Sequence, residues 1–206
     1  MADQDEAGVC QPLLGEPSGQ RGRILALLVY CGFGAILMAD YVWGLLTLVK
    51  KYSTASVLWG HLTDPGMDWL LYIYYTSIGL ATVGYFPALG HIIMVAPSLP
   101  KAAINKICGL LAVFFFTELF WLPMCIGYLQ TASPALYVGI RLQLACSGIC
   151  GILWAYAVLS IPNNAVEVSG RTLQYAAFAG TAYFAFHCSV LDAIVWPPFF
   201  YRTQAA

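Results

Sequence analysis

Five long apolar stretches, separated by short polar joints, occupy most of this 206-residue chain. Each stretch is long enough to cross a bilayer as a helix, which takes about 20 apolar residues at a rise of ~1.5 Å per residue. We therefore expect an all-α protein, a polytopic membrane bundle of about five transmembrane helices. The predicted spans are residues 24–49, 69–95, 107–129, 136–161 and 173–196.

The composition excludes a water-soluble domain, because 60% of the residues are hydrophobic and only 9% are charged, against about 25% charged in a typical soluble domain. Inside a bilayer only helices and closed barrels satisfy their own backbone hydrogen bonds. Barrel strands alternate in polarity, whereas the run Gly-Leu-Leu-Ala-Val-Phe-Phe-Phe at 109–116 does not. The prediction is one helical membrane domain, residues 24–200, after a polar tail, residues 1–23, that we expect to be disordered.

Charge and cysteine content exclude further classes of protein. The net charge is −1, so no basic surface for nucleic acid is expected. Seven cysteines, six of them in apolar stretches, argue against an extracellular disulfide framework. Basic residues are slightly more frequent on the N-terminal side of the predicted bundle, which favours a cytosolic N-terminus. In the tail, Leu13-Leu14 is similar to a dileucine sorting signal, although the usual upstream acid is missing.

Carboxyl groups inside the apolar stretches are the first candidate functional residues, because an intramembrane charge is expensive and usually faces the bundle interior. Glu118 lies about midway along the third stretch, with Trp121 on the same helix face. Asp40 lies deep in the first stretch, with Trp43 three residues later. We interpret Asp40 and Glu118 as candidate catalytic groups, and Trp43 and Trp121 as candidate ligand-binding residues, of one cavity. The alternatives are a protonated Glu118 that only packs helices, and an Asp40 paired with Arg141 or the backbone.

The fifth stretch carries a second group of polar residues. Tyr183 and His187 share a helix face and are predicted to bind ligand in the cavity. His187 and Asp192 are five residues apart, about 140° around an α-helix, so they are not expected to pair. Asp192, near the end of its stretch, is interpreted as an interfacial carboxylate, and Arg141 as an interfacial anchor.

No metal site or cofactor is predicted. Cys146 and Cys150 have helical spacing, but no histidine or further cysteine accompanies them. Pro87 and Pro123 lie inside apolar stretches and are predicted to kink their helices. Small residues predict positions where membrane helices approach each other closely; these are Gly148, Gly151, Ala176 and Gly180.

One set of residues resembles the EXPERA superfamily of membrane proteins, which includes the emopamil-binding sterol isomerase and the sigma-2 receptor. The set is Met38-Ala-Asp40 in the first stretch, then Trp59, then Asp64-Pro65 at the start of the second. Glu118 followed by Leu122-Pro123 is similar to an acidic-residue-then-Leu-Pro segment of sigma-2-like members. That segment lies in the second span of those proteins, whereas Glu118 lies in the third apolar stretch of this chain, one span later.

The chain also departs from this pattern because its second stretch is neutral around Ala81 and Thr82, and its C-terminus lacks the usual lysines. The resemblance implies a four-helix core around an apolar cavity. Carboxylates in that cavity would bind an amine or a carbocation-like sterol intermediate, and Asp40 and Glu118 are the residues carried over. In an isomerase one such carboxyl would protonate the double bond, and another group would remove a proton elsewhere.

The functional prediction is a protein that binds a lipid or sterol-like ligand in an internal apolar cavity, with or without sterol isomerase-like activity. We expect it in the endoplasmic reticulum or another endomembrane, with membrane lipids, a hydrophobic small molecule and other membrane proteins as candidate partners. Two alternatives stay open. One is a non-catalytic scaffold whose polar groups only pack helices, and the other is a proton-coupled small-molecule transporter.

Overall fold

The structure, a computed structural model, describes residues 18–167 and 169–200. Five helices in these ranges are long and apolar enough to cross a membrane, and no strand occurs among them. The predicted all-α helical bundle is therefore confirmed, whereas Leu13-Leu14 lies outside the described residues. The helices are α1 (Gln20–Tyr52), α2 (Asp68–Ser98), α3 (Lys101–Thr131), α4 (Pro134–Leu159) and α5 (Arg171–Phe200).

Short joints connect the five helices. A 3-10 segment, Ser56–Thr63, lies between α1 and α2, and a single helical turn, Asn163–Val166, lies between α4 and α5. The first of these joints folds back against the end of α5, where the indole Nε1 of Trp196 donates a hydrogen bond of 2.9 Å to the carbonyl oxygen of Leu58. The joint therefore closes one end of the bundle.

Proline has different effects in α2 and α3. The α-helix Asp68–Val95 runs through Pro87 without interruption. In α3 the α-helix Lys101–Glu118 stops and restarts as Trp121–Thr131, so this helix is interrupted just before Pro123. The predicted kinks at Pro87 and Pro123 stay predictions. Proline lacks an N–H and its ring collides with the carbonyl four residues earlier, which here is that of Leu119. Glu118 is thus the last residue before the break.

Two helices contain π-helical segments, in which hydrogen bonds join residues five apart. One is Leu28–Phe33 in α1, and the other is His187–Val195 in α5. The second segment is attached to α2, because the hydroxyl of Tyr74 donates to the backbone oxygen of Leu191. Such segments are frequent at functional sites.

Small residues set the helix packing. α2 packs along α5, α5 along α4, and α4 along α3, while α1 packs on α3 and on the end of α2. A Cβ on Gly84 of α2 would lie 2.7 Å from the Cα of Gly180 of α5. A Cβ on Gly148 would lie 2.8 Å from the Cα of Ser189, and one on Gly151 would lie 3.3 Å from a neighbouring Cα. The predicted close approach at Gly148, Gly151 and Gly180 is confirmed.

The outer face of the bundle is as apolar as its core. Large aliphatic side chains on four different helices are about two-thirds exposed, which is expected of surfaces that face lipid; examples are Leu46, Val83, Leu142 and Ile194. The described helices therefore have the character of a multi-pass membrane bundle. Polar side chains that turn inward are exceptions, and most of them lie at one depth.

Candidate functional site

Glu118 marks the depth of the candidate site. It lies ~26 Å along α3 from Lys101 and ~20 Å from Thr131, at ~1.5 Å per residue, so it is near the middle of its span. Only 6% of the residue is exposed. The helix break directly after it removes local α-helical hydrogen bonding, and discontinuous helices at mid-membrane are common at substrate and ion sites.

Side chains from three helices surround the Glu118 carboxyl. The hydroxyl of Tyr41 donates to Oε2 at 3.2 Å, and the amide Nε2 of Gln143 donates to Oε1 at 3.1 Å. Gln143 Nε2 also donates to the Ser147 hydroxyl at 3.0 Å, and that hydroxyl lies 3.0 Å from the hydroxyl of Thr117. We call these five residues the Glu118 cluster. It joins α1, α3 and α4.

A second group, the His187 cluster, consists of Ser77, Tyr183, His187 and Asp192, and joins α2 to α5. The Nδ1 atom of His187 lies 2.9 Å from the Ser77 hydroxyl, to which Tyr183 also donates at 3.2 Å. The Nε2 atom of His187 lies 3.4 Å from Oδ2 of Asp192. The prediction that His187 and Asp192 do not pair is wrong. It assumed an α-helix, whereas this segment is π-helical, which brings residues five apart onto one face.

The two clusters lie on adjoining stretches of α4 and α5, because a Cβ added at Gly148, next to Ser147, would lie 2.8 Å from the Cα of Ser189, which stands between His187 and Asp192 in the chain. Asp192 lies eight residues before Phe200, and its side chain is 30% exposed. Its interpretation as an interfacial carboxylate stays a prediction. All five helices contribute to the combined set, which we call the polar layer.

Three buried polar atoms in or beside this layer have no hydrogen-bond partner among the described residues. They are Oδ2 of Asp40, Nε1 of Trp121 and Oε1 of Gln143. Asp40 directly precedes Tyr41, Trp121 is one turn from Glu118, and Gln143 is itself bonded to Glu118. A buried polar group without a partner costs about 1–3 kcal/mol. One acceptor, on Gln143, and one donor, on Trp121, therefore remain available to a ligand beside Glu118, and a further acceptor is available on Asp40.

Aromatic rings line one side of the Glu118 cluster. The ring centres of Tyr41 and Trp121 are 5.8 Å apart, and those of Trp121 and Trp196 are 5.7 Å apart. Trp196 stacks in turn on Phe200 at 4.3 Å. Faces of such rings attract cations within about 6 Å. A carboxyl beside several aromatic rings is a suitable environment for an organic cation.

Positive charge is scarce in the polar layer. Within residues 18–167 and 169–200, the ion pair between Asp192 and His187 is the only one made by Asp40, Glu118 or Asp192. Arg141 is exposed, and its guanidinium lies 6.0 Å from the ring centre of Tyr137. The suggested pairing of Asp40 with Arg141 does not occur. No group of three or more possible metal-binding side chains occurs in the described part of the chain.

The structure brings most of the predicted site residues together and leaves one of them on the outer surface. Glu118, Trp121, Tyr183 and His187 lie in or against the polar layer, and Asp40 lies at its edge. Trp43 is 52% exposed on the outer face of α1. Sequence reasoning did not single out five residues that the layer contains. Each is a polar residue within an apolar stretch, which is the signal that could have found them; they are Tyr41, Ser77, Thr117, Gln143 and Ser147.

Comparison with known protein families, with characterised proteins and with solved structures finds no match. The sequence and the fold define the class on their own: this is a multi-pass helical membrane protein. The resemblance to the EXPERA superfamily stays a prediction.

Proposed function

We propose that the protein binds a hydrophobic ligand that carries a cationic amine, with the amine at Glu118 and the apolar part among the neighbouring rings and membrane lipid. The ligand class is lipid-like or sterol-like, in agreement with the prediction from the sequence. The predicted internal cavity belongs to this proposal and stays a prediction.

One observation carries the proposal: a mid-membrane carboxyl is buried beside polar atoms that have no partner. Oε1 of Gln143, a residue only 9% exposed, is unpaired while its amide nitrogen is bonded to Glu118. An ammonium group donates hydrogen bonds and carries positive charge. It would neutralise Glu118 and give Gln143 Oε1 a donor in one step.

The alternative of a helix-packing scaffold accounts less well for these atoms. Polar groups that only hold helices together are normally paired, because buried polar groups in proteins nearly always have partners. Glu118 itself satisfies that expectation through Tyr41 and Gln143. Asp40 Oδ2, Trp121 Nε1 and Gln143 Oε1 do not. Two of these exceptions, on Trp121 and Gln143, lie beside the Glu118 carboxyl and favour ligand binding.

Access from the bilayer is compatible with this arrangement. Trp121 is partly exposed, and its ring lies 5.8 Å from that of Tyr41, which is bonded to Glu118. Asp40, the residue before Tyr41 on α1, is also partly exposed. An amphipathic amine that enters sideways from lipid would pass the Trp121 ring to reach Glu118.

The test compares two probes with alkyl chains of equal length, each added to the detergent-purified protein. Dodecylamine is cationic at neutral pH, whereas 1-dodecanol is not. At a concentration of about 100 times Kd, a ligand that binds only the folded state stabilises it by about 2.7 kcal/mol. We expect dodecylamine, but not dodecanol, to raise the unfolding temperature followed by tryptophan fluorescence.

Two variants separate the site from nonspecific effects of the amphiphile on the micelle. Glu118→Gln keeps the shape of the side chain and removes its charge, so the stabilisation by dodecylamine should disappear. Glu167→Gln makes the same change at an exposed residue of the joint between α4 and α5, and the response should remain. Equal stabilisation by the two probes, or a full response in Glu118→Gln, would contradict the proposal.

A further inference from the structure

The polar layer contains more acid than base. Its described residues include two carboxyls, those of Glu118 and Asp192, with Asp40 at the edge, and a single imidazole, that of His187. Among the residues that the structure describes, no lysine or arginine forms an ion pair with any of them. Uncompensated charge is unfavourable in a bilayer interior. When no cation is bound, protons must therefore supply the missing positive charge.

The side chains that could move such protons are already in contact. Tyr183 donates to Ser77 at 3.2 Å, and Ser77 lies 2.9 Å from Nδ1 of His187. Nε2 of His187 lies 3.4 Å from Asp192. An imidazole can accept a proton on one ring nitrogen while it donates from the other. These groups form a path of contacts from Asp192 to α2, and Asp192 belongs to the stretch of α5 that packs at Ser189 against Gly148 of α4, next to Ser147 of the Glu118 cluster.

We infer that the polar layer exchanges protons for the ligand cation, so that binding of a cation at Glu118 releases a proton that leaves through Asp192 and His187. This inference rests on the proposed function. In the exchange the O–H bond of the protonated Glu118 carboxyl breaks, the carboxylate pairs with the arriving cation, and one proton passes to solvent. The net charge of the layer does not change.

The groups that face Glu118 leave few alternative proton donors. Its titratable neighbours are Tyr41 from α1, Cys125 from the second half of α3, and Cys188 and Asp192 from α5. From α4 it meets only neutral groups, Gln143 and Ser147. Thiols and phenols are much weaker acids than carboxyls. The exchanged proton is thus expected to come from a carboxyl.

Asp192 has its own neighbours on α2 and α5. Tyr74 of α2 interacts with it electrostatically, and His187 of α5 pairs with it. The imidazole is the only base among these groups. This makes His187 the positioning and relay residue, whereas Glu118 is the residue that contacts the cation.

The experiment measures binding and proton release separately on the full chain in weakly buffered detergent. Dodecyltrimethylammonium is the probe, because it is a permanent cation with no proton of its own to release. Binding is followed by the shift in unfolding temperature, and proton release by an indicator dye, from about pH 5 to about pH 8. We expect close to one proton per bound cation where Glu118 is protonated, and there an affinity that rises about tenfold per pH unit.

The relay is tested with a matched pair of histidine variants. His187→Gln should slow proton release in stopped-flow measurements by tenfold or more while cation binding at Glu118 is retained. His61→Gln changes an exposed histidine in the joint between α1 and α2, and the release rate should not change. Equal release rates in both variants would overturn the role of His187.

Measurements on the parent protein alone distinguish failure of the proton exchange from failure of the proposed function. The test therefore does not depend on whether a variant folds. Binding without proton release, and with an affinity independent of pH, would overturn the exchange and leave the proposed function intact. If neither dodecyltrimethylammonium nor dodecylamine binds, both the exchange and the proposed function are wrong.

Discussion

Replacing Gly84 by alanine should separate two helices that are in backbone contact. A Cβ at this position would lie 2.7 Å from the Cα and 2.9 Å from the carbonyl oxygen of Gly180. Nonbonded carbon atoms prefer about 3.5–4.0 Å. Because both neighbouring atoms belong to the backbone of α5, no side-chain rotation relieves the contact. The helices must therefore move apart by about 1 Å.

The cost has two parts. Overpacking of this kind typically costs about 1–3 kcal/mol. Ser77 and His187 lie seven residues from Gly84 and Gly180 respectively, and their hydrogen bond of 2.9 Å spans the same interface. A separation of about 1 Å would break that bond, at a further cost of ~1 kcal/mol. The greater helix propensity of alanine returns up to about 1 kcal/mol.

A second glycine on the same helix is the control. Gly79 has nothing within 4 Å of an added Cβ, so Gly79→Ala changes the propensity without the collision. We expect Gly79→Ala to be as stable as the parent or slightly more stable in mixed-micelle unfolding, and Gly84→Ala to be less stable than Gly79→Ala by about 2–4 kcal/mol. Equal stability of the two variants would refute the close approach of α2 and α5.

Three further predictions concern the site, the end of the bundle and the orientation. Asp192→Asn should weaken cation binding several-fold, because it removes a negative charge of the polar layer that pairs with His187, whereas Asp68→Asn at an exposed helix end should not; dodecylamine titrations compare them. Gly60→Ala should destabilise the chain more than Gly66→Ala in thermal unfolding, because both have positive φ but only a Cβ at Gly60 overlaps the backbone of Phe199. Tags at the two ends should show opposite protease access in sealed vesicles, with the N-terminus cytosolic.

The existence and type of the helices followed from hydrophobic length alone, whereas their ends did not. Four of the five helices extend past the apolar runs, because a helix continues through polar residues until a turn signal stops it. α3 starts at Lys101, six residues before the predicted span, directly after Pro100. α4 is the exception, since it ends at Leu159 before Pro162 and so falls short of the predicted end at residue 161.

The candidate site was predictable only in part. Glu118 could be recognised because a carboxyl in the middle of an apolar run is unusual on its own. Its neighbours could not, because contacts between Glu118, Tyr41 and Gln143 depend on how three helices pack. The pairing of His187 with Asp192 required a local change of helix type that hydrophobic periodicity does not reveal.

The order in which the helices pair has a consequence for synthesis of the chain. Neighbouring elements in sequence usually pack together, but α2 packs along α5, which is made three helices later. Ser77 of α2 has two hydrogen-bond partners, Tyr183 and His187, and both belong to α5. While the chain has been inserted only up to α4, α2 must therefore lie in the bilayer with Gly84 and Ser77 not yet covered by α5. A chain truncated before α5 would be a ready target for membrane quality control.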